Sequence, residues 1–300
     1  MRILITGGTG LIGQALIKQL LSNKDNQISV LTRSPNNAVT CLGTAVNLVT
    51  SLNQTLIDQT DVVINLAGEP IAEKRWTDNQ KQKICHSRWG LTRKIVEFIQ
   101  HSETPPHTFL SGSAIGVYGR QENYQIDEAF TQYYPEFSNE ICKKWEDIAL
   151  KAQSTTTRVC LLRTGIVLST TAGALNKMLL PFKLGLGGKF ANGEQVMSWI
   201  HIDDMVNAII FLMEQESIFG AVNMTSPNAV TNKVFSETLA RRLSRPCILS
   251  TPAFMLKLIF GEMSDLFIYG QNVVPKKLLA NGFQFEYSEL NSALLDLLND

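Results

Sequence analysis

The stretch Thr6-Gly7-Gly8-Thr9-Gly10-Leu11-Ile12-Gly13 decides the fold. It follows the apolar run 2–6 and opens an amphipathic stretch at 11–21, so it reads as the corner between a strand and a helix. Gly8, Gly10 and Gly13 fit the spacing G-x-G-x-x-G, and Gly7, Gly10 and Gly13 fit the wider G-x-x-G-x-x-G. At such a corner the chain turns tightly, its backbone approaches a pyrophosphate, and the helix packs closely on the strand. The helix start then offers N–H donors and a positive dipole end to the phosphates. A plain strand–turn–helix corner rarely needs four glycines within seven residues. The loop therefore reads as a dinucleotide site, with Gly7, Thr9, Gly10, Leu11, Ile12 and Gly13 in contact with the ligand.

Outward from this loop, short β-branched runs recur at 2–6, 28–32, 45–49, 61–66, 107–111 and 158–162. Several are continuously apolar rather than alternating, as in strands buried on both faces of a parallel sheet. Amphipathic stretches at 11–21, 77–99 and 138–152 separate them. Strand–helix–strand alternation predicts an α/β fold, a doubly wound parallel sheet of Rossmann type. Past residue 165 glycines cluster in what reads as a loop-rich region. A strand at 195–202, a helix at 204–214, a strand at 221–224 and helices at 231–243, 252–260 and 288–298 follow. We expect a nucleotide-binding domain over 1–165, with returning segments near 195–225, and a small α/β C-terminal lobe over 166–300 that covers the substrate.

Composition narrows the function. Among 300 residues, 27 Lys and Arg balance 27 Asp and Glu, and no basic run exceeds two residues. Nucleic acid is thus not the expected partner, because phosphate-backbone binding needs a basic footprint. No apolar run approaches the ~18 residues that span a bilayer. Five scattered cysteines without a C-x-x-C pair argue against a disulfide framework or a zinc site. The expectation is a cytoplasmic protein, monomer or homodimer, that acts on a small molecule and binds no membrane. The four histidines lack metal-ligand spacing, and no metal is expected.

The residue about 20 positions past the glycines selects the cofactor, since an acid there receives the ribose 2′-hydroxyl of NAD. Arg33 stands there, and no Asp or Glu occurs from Asn26 through Ile57. A guanidinium fork suits a 2′-phosphate, and Thr32 adds a hydroxyl. The pattern favours NADP(H) over NAD(H). The bland reading of Arg33 is a solvated surface side chain.

Three further motifs carry a resemblance. Asn65-Leu66-Ala67-Gly68 ends the fourth strand, Ser111-Gly112-Ser113-Ala114-Ile115-Gly116-Val117-Tyr118-Gly119 follows the fifth, and Trp199-Ile200-His201-Ile202-Asp203-Asp204-Met205 comes later. With the glycine loop, they resemble the extended and atypical short-chain dehydrogenase/reductases of the NAD-dependent epimerase/dehydratase superfamily. Ala67 to Ile71, Arg75-Trp76, Ser87-Arg88, Leu184 to Gly188 and Gly270 to Pro275 are similar to an epimerase-family subgroup with a DUF1731-like C-terminal region. The resemblance implies that Leu66, Ala67, Gly68 and Ser111 lie against the cofactor. It also implies a Y-x-x-x-K proton-transfer pair, yet no tyrosine here has a lysine four residues on. If Glu146 matches the glutamate that follows the family's lysine by four, Ser138 and Cys142 occupy the Tyr and Lys places.

The remaining candidates have two readings each. Ser113 holds a substrate oxygen or the nicotinamide amide, or bonds its own backbone. Tyr118 replaces the missing proton donor, or packs as a half-buried aromatic. Arg163, at a strand's carboxyl end, clamps a phosphate or carboxylate; Arg88 reaches the diphosphate or makes a solvated ion pair. Glu69 is an acid/base or ribose contact, or a loop acid. Asp203 lines the pocket with His201, or caps the following helix. Ser113 and Tyr118 are therefore the catalytic candidates of an NADP(H)-dependent oxidoreductase or epimerase-like enzyme for a small hydroxy or carbonyl compound. The alternative is a non-catalytic NADP(H)-binding redox sensor or scaffold.

Overall fold

The computed structural model describes residues 1–121 and 123–299. Seven strands, Arg2–Thr6 (β1), Gln27–Leu31 (β2), Asn47–Val49 (β3), Val62–Asn65 (β4), Thr108–Ala114 (β5), Arg158–Thr164 (β6) and Gly220–Met224 (β7), form one sheet. Their order is β7-β6-β5-β4-β1-β2-β3 and every pairing is parallel. The order reverses between β1 and β4, which opens a crevice at their carboxyl ends where such sheets bind ligands. Residues alternate between the two faces, so Ile3, Ile5, Val62 and Ile64 enter one apolar core while Leu4, Val63 and Phe109 enter the other. Burial on both faces explains the unbroken Val62-Val63-Ile64 run.

Among the described residues twelve α-helices follow in chain order: Leu11–Leu20 (α1), Pro35–Leu42 (α2), Gln54–Asp58 (α3), Asp78–Gln100 (α4), Phe137–Ala149 (α5), Gly173–Lys183 (α6), Ile202–Glu214 (α7), Asn232–Arg242 (α8), Ala253–Phe260 (α9), Asp265–Ile268 (α10), Lys276–Ala280 (α11) and Leu290–Asn299 (α12). Leu16 and Ile17 of α1 share a core with Met205 and Ile209 of α7, which continues into Leu239 of α8 and Leu294 of α12. Ile95 and Ile99 of α4 and Ile148 of α5 cover the opposite face. The body thus has three layers, with the glycine loop and the starts of the covering helices at the crevice.

The structure departs from the sequence reading in three places. The region read as loop after residue 165 contains α6, with Pro181 inside it and Leu175, Leu179 and Phe182 buried on one side. The strand expected over 195–202 is two short ones, Val196–Met197 and Trp199–His201, which pair with different partners. Ser198 makes the break, because its hydroxyl donates to Gln271 O at 2.7 Å and accepts from Val273 N at 2.9 Å. His201, not Asp203, caps α7: its Nδ1 accepts from Asp203 N at 3.1 Å, and Asp203 and Asp204 fill the first turn.

The C-terminal lobe is stitched by short pairings. Gly188–Phe190 runs beside Leu249–Thr251, and Val196–Met197 beside Val230–Thr231. Asn272–Val273 crosses back to pair in parallel with Gln125–Ile126. Among the described residues no helix is long and apolar enough to cross a membrane.

Candidate functional site

The glycine loop is built around close backbone contacts. Gly7 sits at φ +71°, and a Cβ there would stand 2.7 Å from the carbonyl carbon of Leu66. A Cβ on Gly13 would stand 2.4 Å from Gly7 O, so α1 approaches the loop more closely than any side chain allows. Gly7 O accepts the Gly10 N–H at 3.0 Å, and Gly10 caps α1 without a side chain. The N–H groups of Leu11, Ile12 and Gly13 at the first turn have no intrahelical acceptor. No acid stands in that turn, so nothing there repels an anion. Thr9, half-buried, anchors the loop by accepting from Gln14 Nε2 at 2.7 Å. This cradle fits a dinucleotide diphosphate.

Opposite Gly7, Thr6 Oγ1 donates to Asn65 Oδ1 at 2.6 Å and accepts Ala67 N at 3.3 Å. That pins the ends of β1 and β4 together at the crevice. Leu66 and Ala67 are half-buried and Gly68 is exposed. The Arg88 guanidinium lies behind Gly68, where a Cβ would meet its Cζ at 3.0 Å. It donates to Glu69 O at 2.9 Å and Ile84 O at 3.2 Å, while Ser87 Oγ accepts Glu69 N at 2.9 Å. Ser87 and Arg88 thus hold the loop in shape. Glu69 remains half-buried at its edge, with Gln80 Nε2 3.5 Å from its carboxylate.

Arg33 is exposed immediately beyond β2, and among the described residues no carboxylate lies within ion-pair distance of it. Thr32 Oγ1 accepts Ser34 N at 3.1 Å, and Ser34 caps α2, whose first turn is also free of acids. Thr32, Arg33 and the Ser34 cap are thus consecutive residues, and Arg33 has no counter-ion among the described residues.

The register of three strands forms a polar row that spacing along the chain does not reveal. Ser113 of β5, Arg163 of β6 and Asn223 of β7 stand opposite one another. Ser113 Oγ donates to Glu146 Oε1 of α5 at 2.6 Å. Arg163 holds the same carboxylate bidentately, from Nε at 2.9 Å and Nη2 at 2.8 Å. Its Nη1 reaches Tyr118 OH at 3.0 Å, and Tyr118 OH donates to Asn223 Oδ1 at 2.7 Å. Against burial, which opposes its charge, the Glu146 carboxylate keeps the Arg163 pKa above its ordinary value.

This row corrects the expectations for Arg163 and Tyr118, and burial bears on Ser111. Arg163 is 5% exposed and committed to Glu146 and Tyr118, so it is no open clamp for a phosphate or carboxylate. Tyr118 is fully buried beneath Phe130 and Tyr133, not half-buried, and burial pushes its hydroxyl up to about 12. A sealed, reluctant acid is not poised to deliver protons. Ser111 is buried within β5, with its hydroxyl 3.4 Å from Gly112 O. Ser113 keeps its place at the carboxyl edge, but its proton goes to Glu146. Towards the crevice it offers lone pairs. Tyr118→Phe should cost about 1–3 kcal/mol, because it strands Asn223 Oδ1 and an Arg163 N–H, and should leave cofactor affinity unchanged. Urea unfolding beside a cofactor titration checks this. Reduced turnover without loss of stability would return the hydroxyl to the chemistry.

Ser138, Cys142 and Glu146 follow one another at four-residue spacing along α5, and all three are buried against the β5 side. Burial pushes the Cys142 thiol up to about 12, so it stays neutral. Ser138 Oγ donates to Glu136 Oε1 at 2.6 Å. Neither position supplies the charge that a Tyr–Lys pair would. Sequence reading missed Asn65, Glu146 and Asn223 as parts of the site's frame; their burial in polar form is the signal, and only packing exposes it.

Residues 3–224 match the family model described as the NAD dependent epimerase/dehydratase family. The chain belongs to that family. Residues 251–297 match a domain of unknown function, DUF1731. Over 298 residues, 99% of each chain, this family member is 38% identical to an epimerase family protein of Staphylococcus haemolyticus. It is 37% identical over the same span to one of Staphylococcus aureus. Among solved structures it is similar to the human epimerase family protein SDR39U1 with NADPH, at TM-score 0.90 and 29% identity over the whole of both chains. A nucleoside-diphosphate sugar epimerase of Corynebacterium glutamicum is also similar, at TM-score 0.77 and 26% identity over 99% of this chain and 58% of that one. A UDP-glucuronic acid 4-epimerase of Bacillus cereus shares the fold at 15% identity and TM-score 0.80.

Proposed function

We propose that this family member is an NADP(H)-dependent oxidoreductase that acts on a small hydroxy or carbonyl compound. The observation that carries the cofactor choice is Arg33, exposed and without a counter-ion beyond β2, in a stretch of chain that has no acid to receive a ribose hydroxyl. The NADPH held by the similar human protein supports the same reading. When bound, the nicotinamide supplies or takes up a hydride. The first turn of α1 and the glycine backbone bind the diphosphate, and Arg33 with Thr32 takes the 2′-phosphate. Leu66, Ala67 and Gly68 form the wall against which the cofactor lies. Glu69 follows that wall directly in the chain, with Arg88 fixing its loop.

Ser113 acts as a hydrogen-bond acceptor, because Glu146 takes its proton. That suits an amide N–H of the nicotinamide or a hydroxyl of the substrate. It does not suit polarising a carbonyl, the task a Tyr–Lys pair performs with a donated proton. The test is the absorbance of NADPH incubated with the protein and a panel of aldehydes, ketones and quinones. Consumption with at least one compound, and slower consumption of NADH, is the expected result. Tight NADPH binding with no consumption across the panel would overturn the reading in favour of a sensor or scaffold. The lost Tyr–Lys pair is the observation that favours that second reading.

A further inference from the structure

We propose that an open cleft in the C-terminal half recognises an uncharged, polyhydroxylated ligand: a sugar or polyol without a phosphate. This site is separate from the cofactor cradle and the Ser113 row, so the binding goes beyond the oxidoreductase reading and does not depend on it. The cleft has a volume of about 740 Å³ and lies between the segment after Gly119, the turn at 191–196, and residues 250–253 and 268–270. That volume suits a small ligand. None of the residues that form the glycine cradle, the Arg33 site or the Ser113 row lines it.

Its open polar groups both give and take hydrogen bonds. Gln195 is fixed by two bonds from Nε2, to Phe190 O at 3.2 Å and Phe267 O at 2.6 Å. Its Oε1 is left buried without a donor among the described residues, an acceptor awaiting one. Ser250 Oγ donates to Ala191 O at 3.2 Å and so presents lone pairs. Asn192 uses its Oδ1 to accept Glu194 N at 3.1 Å, which leaves its amide N–H groups as donors. Asn123 and the Tyr269 hydroxyl, at the same walls, have no side-chain hydrogen bond among the described residues. A hydroxyl both donates and accepts, so a ring of hydroxyls meets these polar groups, while Val196, Pro252, Ala253 and Ile268 offer apolar wall to the C–H faces of the same ring.

Charge excludes the anion. Among the described residues that line the cleft there is neither Lys nor Arg, and Glu194 is the one carboxylic acid. Arg120, behind the cleft wall, stacks 4.1 Å from the centre of the Tyr269 ring but is bound by Glu136 at 3.0 Å and Asp265 at 2.8 Å. Its charge is consumed behind the ring, and it covers one ring face. Phosphate recognition relies on Arg or Lys. The nucleotide-linked sugars named with several structural neighbours would find no countercharge here. Ala191, at φ +50°, is one of two non-glycine residues with positive φ among those described, so this turn is held in a costly shape. Its N–H bonds Thr251 O at 2.9 Å, which ties the two walls together.

The test is saturation-transfer NMR on the full chain, with and without NADPH, using D-glucose, sorbitol and myo-inositol at millimolar concentration and UDP-glucose as the charged probe. We expect transfer to at least one neutral probe. Gln195→Leu should abolish it, and Asn123→Ala, on an exposed side chain, should weaken it several-fold. UDP-glucose should bind no better than the best neutral probe. No transfer to any neutral probe, transfer unchanged in both variants, or UDP-glucose binding tighter by about tenfold, the step of one 1.4 kcal/mol interaction, would each overturn the assignment. NADPH affinity measured on the same samples separates the two proposals. Loss of cofactor binding with sugar transfer intact defeats the oxidoreductase reading alone, and the reverse result defeats the cleft alone.

Discussion

Arg33→Ala weakens NADPH binding by roughly tenfold to a hundredfold and leaves NADH binding within about a factor of two, on the measured worth of hydrogen bonds to charged groups. The effect is selective because the guanidinium meets only the 2′-phosphate, while the glycine cradle serves both cofactors. It is large because no carboxylate among the described residues lies within ion-pair distance of Arg33, so its charge is free for the 2′-phosphate. Arg33→Lys should recover part of the loss, since an ammonium keeps the charge but not the fork that grips two oxygens. Calorimetric titration of wild type and both variants with NADP⁺ and NAD⁺ reads the result. An equal loss for the two cofactors, or a preference for NAD⁺ in the wild type, would remove Arg33 from the site.

Glu146→Ala should destabilise the folded chain by about 3–5 kcal/mol, because it leaves Arg163 charged and without its partner inside the protein. Both side chains are less than a tenth exposed, so solvent does not screen the loss. Against a total stability of roughly 5–15 kcal/mol, that approaches unfolding. Urea denaturation measures it. Glu146→Gln should cost less, since the amide oxygen still accepts from Ser113 or Arg163, though not from both with full charge. A cost below about 1 kcal/mol for Glu146→Ala, the scale of an exposed pair, would mean that water reaches the row.

The parts of this architecture that sequence makes legible are those governed by neighbours along the chain. Gly13 announces the cradle because a Cβ there collides with the backbone of Gly7 and Gly8, a few residues back. Val62 to Ile64 announces a doubly covered strand because both faces are apolar. Arg33 is readable from its distance to Gly13. The errors fall where distant elements decide. Tyr118 and Arg163 look available at strand ends, yet Glu146 and Asn223 close over them only once β5, β6, β7 and α5 are assembled. The helix α6 was hidden by its flanking glycines and Pro181; it is held by burial of Leu175, Leu179 and Phe182, not by propensity. The cap of α7 passed from Asp203 to His201 because the imidazole, also stacked 3.9 Å from the Tyr287 ring, sits one turn-start earlier than the acid pattern suggests.

The pairing of Asn272–Val273 with Gln125–Ile126 has a consequence for how the chain acquires its shape. The strand that completes this ladder is synthesised long after its partner. Until it arrives, Gln125–Ile126 has an unpaired edge, Asn223 Nδ2 lacks the Val274 carbonyl, and Ser198 lacks both of its partners at 271–273. Closing so long a loop is entropically costly and slow. The sheet and the glycine cradle can form from the earlier part of the chain, whereas the polar frame around Tyr118 is finished last. A nascent chain that has formed its nucleotide-binding half therefore still has an unfinished second half, and a ribosome that stalls before residue 272 leaves an edge open to wrong pairing.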